Sequence, residues 1–130
     1  MNVLVDSSAV LALLNRRDRW HHAAVATIQS LADKRAALVM TNFLVAETHA
    51  LLLAGLGPEL AREWLLDFDW NLIRISALEE RLAREIIAHY RDKDFSYTDA
   101  TSFVVVRQYG LAAFAYDRHF TQFGITVLGR

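Results

Sequence analysis

The chain has no cysteine, a single proline and only five glycines among its 130 residues. Without thiols, disulfides, thiolate zinc sites and cysteine nucleophiles are excluded. No apolar run approaches the roughly 18 residues that a membrane span requires. The N-terminus also lacks a basic segment leading into a long apolar stretch, because Asp6 interrupts it. Charge of one sign is missing as well: 14 Lys and Arg stand against 15 Asp and Glu, a formal net charge of -1. Broad, nonspecific attachment to nucleic acid is therefore not expected, and any such partner would be held by a local patch. Repeats, low-complexity segments and linkers are absent. What is present is a composition that is 54% hydrophobic, enough for a sizeable core. One soluble, cytoplasmic domain spanning residues 1–130, with no membrane partner, is the simplest expectation.

Short apolar runs alternate with longer helical patterns. "NVLV", "ALVM" (37–40), "NLIRI" (71–75), "LAAFAY" (111–116) and "ITVL" (125–128) read as strands. Helices are predicted over 8–14, 20–34, 43–54, 59–68, 78–90 and 99–109, with Gly57-Pro58 separating two of them and Gly110 closing the last. Strands that are apolar on both sides and separated by helices predict an α/β fold: a three-layer α/β/α sandwich around a mainly parallel sheet of about five strands.

In such sheets ligands bind beyond the carboxyl ends of the strands. Asp6 stands at one such end, in "VLVDSSAVLALL", and Asp117 at another, in "LAAFAYDRHF". A third acid, Glu47, is the only charged member of a helical stripe formed with Phe43, Ala46, Ala50, Leu51 and Ala54, which is expected to face inward. The fourth, Asp99, opens a helix whose stripe continues through Ser102, Phe103 and Val106. Each acid also has a plainer reading. Asp6 and Asp117 suit helix caps, Ser96 and Asp99 have capping-box spacing, and Glu47 could reach solvent at the edge of its stripe. Four acids placed in this way are nevertheless better explained by convergence than by four separate caps. Clustered carboxylates repel by about 1 to 4 kcal/mol per close pair, which calls for a cation. Oxygen donors without matching His or Cys favour a hard ion, Mg²⁺ or Mn²⁺, and with it phosphodiester hydrolysis.

These segments, with "NFLVAETHALL" and "DFSYTDATSFVVVRQYG", resemble the acidic motifs of the PIN domain, in particular the VapC-type ribonuclease toxins of toxin-antitoxin pairs. The resemblance covers essentially the whole chain. It implies a metal-dependent endoribonuclease in which Asp6, Glu47, Asp99 and Asp117 form the catalytic metal site, supported by the hydroxyls of Ser7 and Thr98. It further implies an RNA substrate, a homodimer and inhibition by an antitoxin that inserts a segment into the active-site groove.

Other features carry less. Arg118 and His119 directly follow Asp117 and are placed for phosphate contact, and Arg16 and Arg17 in "NRRDRWHH" offer a second basic patch for RNA. Either group also reads as ordinary surface. Asp94 in "RDKDF" could approach the site but reads more simply as a solvated loop and is left out of the core set; His49 and His89 read as ordinary histidines, and Trp20, Trp64 and Trp70 as packing residues, with a dimer contact open to Trp64. Rival enzymes fit poorly. A haloacid dehalogenase phosphatase needs an acid where Ser8 stands, and a receiver domain needs an aspartate after the third strand, where Ser76 stands, and a lysine near its last strand. A flap-type DNA nuclease would be longer and more basic. A catalytically silent RNA-binding or regulatory module of the same fold is the remaining alternative.

Overall fold

The computed structural model describes residues 1–130. Five parallel strands, β1 (Asn2–Val5), β2 (Ala37–Thr41), β3 (Asn71–Ile73), β4 (Ala112–Phe114) and β5 (Val127–Leu128), pair in the order β3-β2-β1-β4-β5. The chain leaves β1 through α1 (Ser7–Leu14) and α2 (His21–Asp33) and reaches β3 through α3 (Asn42–Leu56) and α4 (Pro58–Asp67). It then returns across the sheet through α5 (Ala77–His89) and α6 (Tyr97–Tyr109) to β4, and α7 (Arg118–Gln122) leads to β5. Right-handed crossovers running in opposite directions put the two sets of helices on opposite faces, which gives the sandwich. The direction of travel reverses between β1 and β4, so the crevice beyond their carboxyl ends is the topological switch point of the sheet.

The core forms around β1, whose Val3, Leu4 and Val5 are fully buried between Ala9 and Val10 of α1, Leu44 and Leu52 of α3, and Phe103 and Phe114. Phe103 stacks on Phe123 with ring centroids 4.5 Å apart and meets Phe95 and Phe120 edge-on, so α6, α7 and the loop before α6 share one aromatic cluster. Gly110 ends α6 in the left-handed conformation (φ 64°), which spares a Cβ the steric cost there. The tryptophans are packing residues: Trp20 stacks on Tyr116, and Trp64 on Phe68.

Most element boundaries agree with the sequence within a residue or two. The strands after Asn71, Leu111 and Ile125 are shorter than predicted, at three, three and two residues. One expectation fails on orientation. The inward face of α3 is Leu44, Thr48 and Leu52, whereas Ala46, Ala50, Leu51 and Ala54, taken to face the core with Glu47, are exposed. Apolar residues occupy nearly every side of this helix, so spacing alone does not single out its buried face.

Candidate active site

Asp6 follows β1 directly. Its backbone N–H donates to the Phe114 carbonyl at 3.0 Å, which locks the end of β1 to the end of β4. Its carboxylate caps α1, accepting from the Ser8 N–H at 3.1 Å and from the Ser8 hydroxyl. That hydroxyl accepts in turn from the Tyr116 N–H at 2.9 Å, one residue before Asp117. Asp117 caps α7 by accepting from the His119 N–H at 2.9 Å. Asp99 lies in a capping box: its N–H donates to Ser96 Oγ at 2.9 Å, and its carboxylate accepts from the Ser96 N–H at 3.0 Å. Three of the four acids are therefore helix caps and site residues at once. The cap is what immobilises each carboxylate, so capping and convergence are not competing descriptions.

Glu47 has no capping role. Although it lies beside the exposed stripe of α3, it is partly buried against the other acids. Burial, followed by the charges of Asp6, Asp99 and Asp117, pushes its carboxyl up to about 7, while the Ser7 hydroxyl offsets part of the rise. Burial likewise raises Asp6 to about 6 against the opposing bonds from Ser8, with Asp117 and Asp99 adding to the rise. Asp99 moves up mainly through burial, opposed by the Ser96 N–H and reinforced by Asp117. These mutual fields place Asp6, Glu47, Asp99 and Asp117 within electrostatic reach of one another near the switch point.

The supporting assignments divide. Ser7 is buried and faces Glu47. Thr98 contributes its backbone carbonyl, which accepts from the Thr101 hydroxyl at 2.8 Å, and no hydrogen bond joins its own hydroxyl to an acid. Sequence reasoning overlooked Ser8 as an Asp6 partner. It also preferred a solvated loop to an approach to the site for Asp94, and read His119 as a phosphate contact or ordinary surface. Asp94 is indeed exposed, but its Oδ1 lies 2.9 Å from His119 Nε2, and Arg118 approaches its Oδ2 at 3.8 Å. His119 turns inward: its Nδ1 lies 2.8 Å from Asp99 Oδ2 and 3.1 Å from Asp117 Oδ1. Burial disfavours the charged imidazole, but the Asp94 hydrogen bond and the fields of Asp117 and Asp99 outweigh it and hold His119 above its ordinary value. The spacing of "DRHF" was the available signal, since a histidine two residues past a strand-end acid returns to it once a helix starts there. Arg16 and Arg17 are exposed on the connection between α1 and α2, and the Arg118 side chain is 70% exposed.

The arrangement fits a hard divalent cation. The carboxyls of Asp6, Glu47 and Asp99 are raised by burial and by neighbouring charge, and a bound cation would stabilise their ionised forms. Donor atoms of Asp99, Asp117 and His119 all lie within 4.8 Å of one another.

The PIN domain family model matches residues 3–125. The chain is 33% identical over 111 residues to the ribonuclease VapC26 of Mycobacterium tuberculosis, covering 82% of this chain and 79% of that one. It is 31% identical over 136 residues to a VapC ribonuclease of Archaeoglobus fulgidus, covering 100% and 84%. Its fold matches the crystal structure of VapC20 of M. tuberculosis, described as a toxin that cleaves the sarcin-ricin loop, with a TM-score of 0.81 and 27% identity over 95% of this chain and 96% of that one. The chain belongs to the PIN domain family and, within it, to the VapC-type ribonucleases.

Proposed function

We propose that this chain is a single-domain endoribonuclease toxin in which Asp6, Glu47, Asp99 and Asp117 hold Mg²⁺ or Mn²⁺ and are the catalytic residues. The observation that supports the reading is the charge coupling among these four carboxylates beside the switch point between β1 and β4, with donor atoms of Asp99 and Asp117 within 4.8 Å of each other. A divalent ion held there supplies neutralisation of phosphate charge and activation of water. The protein's own contribution is preorganisation. Asp6, Asp99 and Asp117 are fixed by backbone N–H bonds before substrate arrives, so little reorganisation opposes binding. Glu47 completes the negative cup from α3. The exposed Arg118 stands beside it to receive a phosphate of the RNA backbone, and Arg16 and Arg17 offer a more distant basic contact.

The toxin description of VapC20 supports an antitoxin partner for this chain, and an RNA substrate supports a cytoplasmic site of action. No helix is long and apolar enough to cross a membrane. A homodimer belongs to the same proposal: Leu51 and Leu53 on α3 and Leu78 and Leu82 on α5 leave apolar surface exposed for it.

A circular RNA tests the central activity, because having no ends it is linearised only by an internal cut. Partner-free protein should linearise it with Mn²⁺ or Mg²⁺, not with EDTA, and Asp6→Asn should be inert. Metal binding with no cleavage of any RNA would favour a silent RNA-binding module instead.

A further inference from the structure

His119 sits where none of the four-acid reasoning needs it. Its Nδ1 is buried and, although 2.8 Å from Asp99 Oδ2 and 3.1 Å from Asp117 Oδ1, lies off the hydrogen-bonding direction of both and has no hydrogen-bond partner. Its other nitrogen, Nε2, is 2.9 Å from Asp94 Oδ1. The ring is packed edge-on against Phe95, with centroids 5.6 Å apart, so its orientation is held from a third side.

We propose that His119 is a nitrogen ligand of the metal ion, oriented by Asp94, so that this site is a mixed oxygen and nitrogen centre that prefers Mn²⁺ to Mg²⁺. The inference rests on the metal-site reading above and deepens it. Two observations support the ligand assignment, and donor chemistry supplies the ion preference. Atoms bonded to one ion at about 2.1 Å and at right angles to each other stand about 3 Å apart, and the two spacings from Nδ1 to the carboxylate oxygens agree with that. Histidines that bind metals commonly donate their second N–H to a carboxylate, which fixes the tautomer and leaves the inner nitrogen with a free lone pair; Asp94 is in the position to accept. An imidazole nitrogen in the donor set also shifts preference from Mg²⁺, which takes oxygen, toward transition metals.

Asp94 is thus a positioning residue that acts through His119, and its loss is expected to weaken metal affinity by about tenfold or more. The deciding experiment is pulsed electron paramagnetic resonance on Mn²⁺-loaded protein, with Mn²⁺ and Mg²⁺ titrations of the wild type, His119→Gln, Asp94→Asn and Asp99→Asn. The expected result is electron spin-echo modulation from a directly bound ¹⁴N that disappears in His119→Gln. The Mn²⁺ affinity of His119→Gln and Asp94→Asn should fall by about tenfold or more while Mg²⁺ affinity changes less. Growth of the wild-type protein on ¹⁵N-histidine, which should replace the ¹⁴N pattern with that of ¹⁵N, reads the same bond even if a variant fails to fold. Mn²⁺ bound in an Asp99-dependent manner without any nitrogen coupling would overturn the proposal and leave the carboxylate site standing. No Asp99-dependent Mn²⁺ uptake would overturn both.

Discussion

The Ser8 hydroxyl bridges two strand ends: it donates to the Asp6 carboxylate and accepts from the Tyr116 N–H at 2.9 Å, across 108 residues of sequence. This bridge sets the spacing of Asp6 from Asp117, one residue beyond Tyr116. Ser8→Ala removes a donor from Asp6 and leaves a buried N–H without its partner, a cost of about 1 to 3 kcal/mol. Urea unfolding is expected to show that loss. Cleavage is expected to fall as well, because Asp6 would lose its fixed position. A variant as stable and as active as wild type would mean that the bridge positions nothing.

Asp99→Asn separates capping from charge. Asparagine keeps an oxygen that can accept from the Ser96 N–H, so the capping box survives while the repulsion from Asp117 goes. Metal-free Asp99→Asn is expected to melt at or above the wild-type temperature and to gain less from Mn²⁺ in a thermal shift assay. A clear drop in metal-free stability would instead make Asp99 chiefly a structural cap.

The raised acids give a signed pH dependence. Asp6 near 6 and Glu47 near 7 keep protons in the folded chain that they would lose when unfolded, so ionising them costs stability. Their effect is absent well below the unfolded carboxylate values and grows as pH rises through about 4 to about 7. His119, raised above 6.5, acts in the same direction: its favourable contribution is present below 6.5 and is lost as pH rises through its folded value. The metal-free melting temperature is therefore expected to fall by several degrees, roughly 5 °C or more, between about pH 5 and pH 8. Saturating Mn²⁺ should remove most of the fall, since metal and proton compete for the same groups. Calorimetry showing a flat or rising metal-free profile would contradict the burial of these acids.

Arg118→Ala is expected to weaken RNA binding and to reduce the salt slope of the binding constant by about one, with the thermal stability unchanged, because the side chain is exposed. The Arg16→Ala and Arg17→Ala pair should do the same if the α1 to α2 connection also tracks the RNA. Filter binding across a salt series distinguishes the two patches, and unchanged slopes in both would place the RNA elsewhere.

Much of the site was legible because strand-end acids follow from chain order: a buried apolar run ending in Asp6 or Asp117 can place its carboxylate only at the sheet edge. Glu47 was placed near the other acids on a premise that the structure does not support. The stripe beside it faces outward, and what brings Glu47 near the other acids is its position about one and a half turns along a helix that starts at the same edge as Asp6. The roles of Ser8 and Asp94 depend on how short loops fold back on β1 and β4, which spacing in a sequence does not encode, whereas the inward turn of His119 had a signal in its place two residues past Asp117. The fold was clearer than its edges: β4 and β5 are shorter than their apolar runs because pairing, not hydrophobicity, defines where a strand ends.

The most direct measurement is metal-dependent RNA cleavage by Glu47→Gln beside wild type. Glu47 is the one acid of the four that caps no helix, so its neutralisation leaves the local hydrogen bonding of the fold in place. The expected result is a fall in turnover of about a hundredfold or more, of the size seen when a preorganised charge is removed from an active site, with metal-free stability held or raised. Wild-type turnover in Glu47→Gln, or turnover that persists in EDTA, would contradict the four-carboxylate metal site.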